Sequence, residues 1–262
     1  MKPWSEHAAL LVLQEEVLRQ LQGMVSARFD AAKLCGGTAL ARCWLGHRVS
    51  FDLDFFLPEG FRSRALATDM KKAGIDFETQ EIVDDPRIAN QLHGHVRIAG
   101  EVLNVSFIED AYFDVFPAVE RAFGALRVST EAIDGLYHRK LRTVSGSEAF
   151  GAQVVGGRQK ARDLFDLFVL ATEYRPIQEF MAQLPYAFPQ EAFANGLAGM
   201  PWFDLLDEFE QLRCDPKWNA AKDVAHVQNF LFAQIGALAL PKQDEAPITA
   251  PPGRARKPGR AR

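Results

Sequence analysis

The chain has 262 residues, of which 48% are hydrophobic and 24% charged. This balance excludes wholesale disorder and a fibrous repeat, and leaves enough length to bury one large core or two modest ones. Formal net charge is −4, but residues 251 to 262 hold five basic residues and no acid, leaving 25 basic against 34 acidic residues before them. An acidic body of this kind needs cations or a local basic patch to approach a polyanion.

Three cysteines, Cys35, Cys43 and Cys214, show no CxxC pairing that would point to zinc or redox work, and predict a reducing, cytoplasmic setting. Glu6, Glu15 and Glu16 interrupt the opening apolar pattern, which argues against a signal peptide, and no apolar run approaches a membrane span.

In chain order, residues 5 to 27 place Leu10, Leu11, Leu13, Val17, Leu18 and Leu21 at helical spacing, with Ser5 as the expected N-cap. A short strand over 29 to 35 then meets Gly36-Gly37 and a helix over 38 to 45. Residues 49 to 57, VSFDLDFFL, alternate as a half-buried strand does. A helix over 61 to 73 precedes strands near 75 to 83, 90 to 98 and 101 to 108, with a hairpin turn at Ala99-Gly100. A last strand is expected over 125 to 128, after which Thr130 and Glu131 open a helix to about Val144. Helices follow near 158 to 173, 176 to 184, 201 to 213 and 218 to 236. The expected class is α+β first and all-α second. The expected domains are 1–130, an α+β domain with its opening helix, and 131–240, a helical domain. Residues 241–262, rich in Pro and Arg, form a disordered basic tail that either contacts RNA or simply solubilises.

Alternation along the strand puts Arg48, Ser50, Asp52 and Asp54 on one face and Val49, Phe51, Leu53 and Phe55 on the core face. Carboxylates two residues apart lie about 6 to 7 Å apart along a strand, close enough to repel when desolvated and to share Mg²⁺. Upstream, the Gly36-Gly37-Thr38 turn offers backbone N–H groups and a helix start to an anion, and Thr38 is expected to cap that helix and donate its hydroxyl. A glycine turn alone is common, and Asp-x-Asp alone is often solvated surface. Within twenty residues of each other they point to a nucleoside triphosphate held by its phosphates.

The segment CGGTALARCWLGHRVSFDLDFF resembles the AbiEii/AbiGii toxin family of nucleotidyltransferases, whose signature is GGTAL followed by R-x-S-x-D-x-D-hydrophobic. A second block agrees: Lys140-Leu141, then Arg158-Gln159-Lys160-Ala161-Arg162-Asp163-Leu164-Phe165-Asp166-Leu167, similar to the family's K and R-x-x-x-R-D-hydrophobic-aromatic-D-L. The resemblance covers about residues 30 to 170. It implies a polymerase-β-like nucleotidyltransferase fold, a mixed sheet with helices followed by an all-α half. It also implies a bacterial toxin with a separately encoded antitoxin, and, by likeness to MenT-type toxins, transfer to the 3′ end of tRNA. It further implies that Gly36, Gly37, Thr38, Arg48, Ser50 and Arg158 hold the NTP, that Asp52 and Asp54 hold the metals, and that Lys140 and Asp163 complete the site. Spacing alone leaves Arg162 free to pair with Asp166, whose role is read as structural.

Polymerase-β-like enzymes usually carry a third carboxylate on a neighbouring strand. Here the polar positions of 101 to 107 are Asn104 and Ser106, with Glu101 and Glu109 as the nearest acids. His93 and His95 share a strand face but lack a third ligand and are read as ordinary strand residues. Trp202 and Trp218 are read as core. The expected reaction is attack of an acceptor hydroxyl on the α-phosphate with loss of pyrophosphate. The alternatives are transfer to a small molecule or protein hydroxyl, or NTP binding without turnover.

Overall fold

A computed structural model describes residues 7–84, 89–145 and 159–236; Ser5, Arg158 and the basic tail lie outside them. Two compact units emerge, one formed by Met1–Arg139 with Glu210–Lys222, the other by Lys140–Phe209 with Asp223–Arg262.

The first unit is built on a seven-stranded mixed sheet: β1 (Lys33–Cys35), β2 (Asp52–Leu57), β3 (Phe77–Val83), β4 (Gln91–Ile98), β5 (Glu101–Glu109), β6 (Ala118–Phe123) and β7 (Leu126–Glu131), in the order β3-β4-β5-β2-β1-β7-β6. Central β2 runs antiparallel to β1 and parallel to β5. Its burial alternates, with Leu53, Phe55 and Leu57 buried. These join Val105, Phe107, Leu92 and Val96 on one apolar face, where Phe55 and Phe107 stack at 5.5 Å and Phe29 meets Phe55 edge-on at 5.2 Å. Such ring pairs each add about 0.5–1.5 kcal/mol beyond their buried area.

Helix α1 (Ala8–Gln22) buries Val17, Leu18 and Leu21, and α3 (Ser63–Lys72) buries Leu66 and Met70. Between β1 and β2 stands α2 (Gly36–Ala39), continued without a break by a π-helical turn over Leu40–Leu45. Wider π turns recur at functional sites because they re-aim side chains. The hairpin joining β4 to β5 turns at Ala99 and Gly100, both at positive φ, as expected.

Several local expectations differ from the structure. Residues 49 to 51 are not strand: Arg48 makes an isolated bridge to Cys214, and Val49 N–H donates to the Arg213 carbonyl at 2.7 Å. Phe51, expected in the core, is 52% exposed and touches only the His7 ring among the described aromatic pairs. Strand β6 was not anticipated, because every residue but Phe123 lacks burial. Thr130 and Glu131 belong to β7 rather than to a helix start. The Thr130 hydroxyl donates to the Leu34 carbonyl at 2.6 Å, and α4 (Ile133–Ser145) begins later.

The second unit is helical: the end of α4, then α5 (Ala161–Glu173), α6 (Ile177–Ala182), α7 (Gln190–Ala198), α8 (Leu206–Glu210) and α9 (Val224–Ile235). Helix α5 is buried from Ala161 to Ala171 apart from Arg162. Its N-terminus is capped from outside by Glu208, which accepts from Ala161 N–H at 3.1 Å and from Lys160 Nζ at 2.8 Å. Burial pushes the Glu208 carboxyl up, but these donors prevail and hold it below the usual carboxylate range. Trp218, in a 3₁₀ turn over Pro216–Lys222 of the first unit, is buried as expected. Among the described residues no helix is long and apolar enough to cross a membrane.

Candidate active site

Register explains why a glycine pair follows β1. Cys35 lies opposite Asp54, so the chain leaving β1 passes directly over that carboxylate. Gly36 turns there with φ 68°, and a Cβ at this position would lie 2.5 Å from Asp54 Oδ2. At Gly37 a Cβ would collide with Arg48 Nη2 and approach Ser50 Oγ to 3.1 Å. The missing side chains thus leave room where the Arg48 guanidinium, the Ser50 hydroxyl and the Asp54 carboxylate converge. Gly36→Ala is expected to lose about 1–2 kcal/mol from the left-handed backbone alone and to weaken NTP binding by displacing Asp54. Denaturant melts and nucleotide titration test this. A variant matching the parent in both would show that the turn tolerates a side chain.

Asp52 is oriented by two hydroxyls. Thr38 Oγ1 donates to the Asp52 carbonyl at 2.5 Å and lies 3.4 Å from its Oδ1, while Ser50 Oγ donates to Oδ1 at 3.2 Å. Thr38 does not cap α2, which starts two residues earlier at Gly36 with Cys35 as its N-cap; its hydroxyl serves β2 instead. Thr38, Arg48 and Ser50 are buried, whereas Asp52 and Asp54 are half-buried. One contributor went unseen in the sequence. Gln14, fully buried on α1, donates to the Ser50 carbonyl at 2.9 Å and accepts from Arg42 Nη1 at 3.1 Å. Arg42 also pairs with Glu15 at 2.6 Å. A Gln within an apolar helix stripe is the only sequence signal of this brace.

Around Cys35 the chemistry is structural. Arg139 Nε meets Glu131 Oε2 at 2.5 Å, its Nη2 meets Asp110 Oδ2 at 2.8 Å, and the guanidinium lies 4.0 Å from the Phe56 ring centre. Burial pushes the Cys35 thiol far above its ordinary value, and burial likewise raises Cys43 to about 11, so neither is a ready nucleophile at neutral pH.

Strand β5 sets Asn104 beside Asp52 and Ser106 beside Asp54. Neither acid near β5 fills the third carboxylate's place. Glu101 is exposed at the hairpin end, and Glu109, three residues beyond Ser106, is buried and accepts from Gly60 N–H and from the backbone and side chain of Asn90. Among the described residues no three His, Cys, Asp or Glu side chains cluster to hold a metal ion. Asp52 and Asp54 are a pair of hard-oxygen donors beside a turn free of Cβ atoms, a set that suits Mg²⁺ sharing its remaining positions with phosphate oxygens.

In the second unit, Lys140 on α4 meets Asp163 on α5: Nζ lies 2.6 Å from Asp163 Oδ1. It also lies 2.7 Å from Asp166 Oδ2, and all three side chains are buried. Asp166 therefore shares its lysine with Asp163.

The model of the nucleotidyl transferase AbiEii toxin of type IV toxin-antitoxin systems matches residues 19–235, most of the chain. The chain belongs to the AbiEii nucleotidyltransferase toxin family. As an AbiEii member it is a nucleotidyltransferase of the toxin-antitoxin kind. A solved structure described as a candidate nucleotidyltransferase from H. pylori aligns with a TM-score of 0.52 at 20% identity, covering 87% of this chain and 93% of that one. JHP933 from Helicobacter pylori aligns at 0.46 and 20% identity, over 87% and 96%. The first likeness supports the AbiEii assignment at the level of fold, a mixed sheet with helices and a helical C-terminal half. No curated protein matches the chain.

Proposed function

We propose that this AbiEii-family enzyme transfers a nucleoside monophosphate from an NTP to an acceptor hydroxyl of RNA, with the 3′ end of tRNA as the favoured target. The observation that carries the NTP end of this reading is the gathering of Arg48, Ser50, Asp52 and Asp54 around the side-chain-free turn at Gly36 and Gly37. The backbone N–H groups of that turn and the Arg48 guanidinium bind phosphate oxygens, and Ser50 and Thr38 fix the rotamer of Asp52. Asp52 and Asp54 would hold Mg²⁺, which would supply charge neutralisation to the triphosphate.

The family resemblance extends NTP binding to Arg158, outside the described residues, and assigns Lys140 and Asp163 to the same chemistry. The acceptor follows from that resemblance too, as does a separately encoded antitoxin as partner.

Purified protein incubated with each α-labelled NTP, Mg²⁺ and total RNA should place label on small RNA. Label on a metabolite or on the protein itself would replace RNA by another acceptor hydroxyl. Bound triphosphate with no label transfer to anything would reduce the site to a binding module.

A further inference from the structure

Beside the carboxylate pair, the open face of the sheet carries a hydrogen-bonded chain that crosses strands. Ser106 on β5 is the register neighbour of Asp54 on one side and of His93 on β4 on the other. The Ser106 Oγ to His93 Nδ1 distance is 2.9 Å, and His93 Nε2 lies 2.7 Å from Gln91 Oε1. An amide oxygen only accepts, so Nε2 carries the proton and Nδ1 is left as the acceptor of the Ser106 hydroxyl. Adjacent strands are about 5 Å apart, which puts the polarised Ser106 oxygen one strand away from the carboxylates that flank the reacting phosphate.

We propose that Ser106 and His93 take the proton of the acceptor hydroxyl, in the place where no third carboxylate stands. This rests on the transfer reaction proposed above. As the acceptor oxygen forms its bond to the α-phosphorus and the bond to pyrophosphate breaks, the acceptor proton passes to Ser106 Oγ. The Ser106 proton passes to His93 Nδ1, and the resulting imidazolium is held by Gln91 Oε1. Ser106 is then the catalytic residue and His93 the positioning base behind it.

Glu81 on β3 is the register partner of His93, and Glu78 on the same strand accepts from His95 at 2.9 Å and from Arg97 at 3.1 Å. Asp54 and Asp52 follow beyond Ser106 and Asn104 on β2. Helices α1 and α3 bury their apolar stripes, and on β4 it is Leu92 and Val96, facing away from His93, that are buried. Their Glu15, Glu16, Arg19, Arg64, Asp69, Lys71 and Lys72 therefore belong to the other side of the sheet.

The experiment compares kcat against pH for the parent, H93Q and S106A, using the acceptor identified by label transfer, together with NTP affinity and a thermal melt. H93Q and S106A are expected to lose about 10²-fold in kcat, with NTP affinity and melting unchanged. The pH dependence of kcat in the parent should be altered in H93Q. S106A removes a single oxygen from a half-buried site and serves as the folding-neutral arm. An active parent beside an unimpaired H93Q or S106A, or an H93Q profile that keeps the parent's pH dependence, overturns the relay alone. A parent silent toward every acceptor removes the transfer reaction and the relay with it.

Discussion

Asp52→Ala is expected to reduce nucleotide transfer by at least about 10³-fold, the scale seen when a charge-stabilising group is removed from a preorganised site. The reason is geometric. Asp52 is the carboxylate on which both Thr38 and Ser50 converge, and Gly36 and Gly37 clear the space beside it and Asp54. Two like charges on one strand face repel, so their separation from each other's field by Asp52→Ala should leave the melting temperature unchanged or raise it. Loss of turnover with undiminished stability, read from label transfer and a thermal melt on the same sample, identifies Asp52 as functional. An Asp52→Ala protein that transfers label at the parent's rate would move the site elsewhere.

Lys140→Met should behave in the opposite manner, costing stability first. Its ammonium lies within 2.7 Å of two carboxylates that are 1% and 0% exposed. Removing one partner of a buried ion cluster typically costs about 3–5 kcal/mol, because the remaining charges stay desolvated. Denaturant unfolding of the full chain measures the loss, and a Lys140→Met/Asp166→Asn double variant should recover part of it, since one stranded charge has been removed. Equal losses in the single and double variants would mean that Asp166 is not coupled to Lys140. Activity in the double variant then separates support from chemistry. Should stability return while transfer remains lost, Lys140 acts in the reaction as well as in the fold.

The parts of the site that could be read from residues alone are those whose partners lie close in sequence. Alternation over 52 to 57 holds because β2 is covered on one face, and the glycine turn is placed by its own spacing. The same alternation failed at Phe51, because residues 47 to 49 answer to Arg213, Cys214 and Asp215, a pairing that no local pattern encodes. Asp166 shows the same limit: helical spacing offers Arg162 but says nothing of the lysine on another helix that the carboxylate meets. Strand β6 carries no alternation to detect, since its residues Ala118 to Ala122 are not buried and its order comes from pairing with β7. Thr130 and Glu131 look like a helix start by composition, and tertiary bonds to Leu34 and Arg139 override that preference. The Gln14 brace and the His93–Ser106 contact likewise exist only once strands and helix are assembled.

The segment Glu210–Lys222 returns to the first unit after the chain has left it for the second. There Val49 N–H donates to Arg213, Asp215 N–H donates to the His47 carbonyl at 2.8 Å, and Arg48 bridges Cys214. Protein synthesis runs in one direction, so the glycine turn and both aspartates exist on the ribosome long before the residues that pin Arg48 beside them. A nascent or prematurely terminated chain ending at Arg139 holds Asp52 and Asp54 and still lacks the clasp on Arg48. For a toxin, the order of synthesis itself delays the moment at which the weapon is finished.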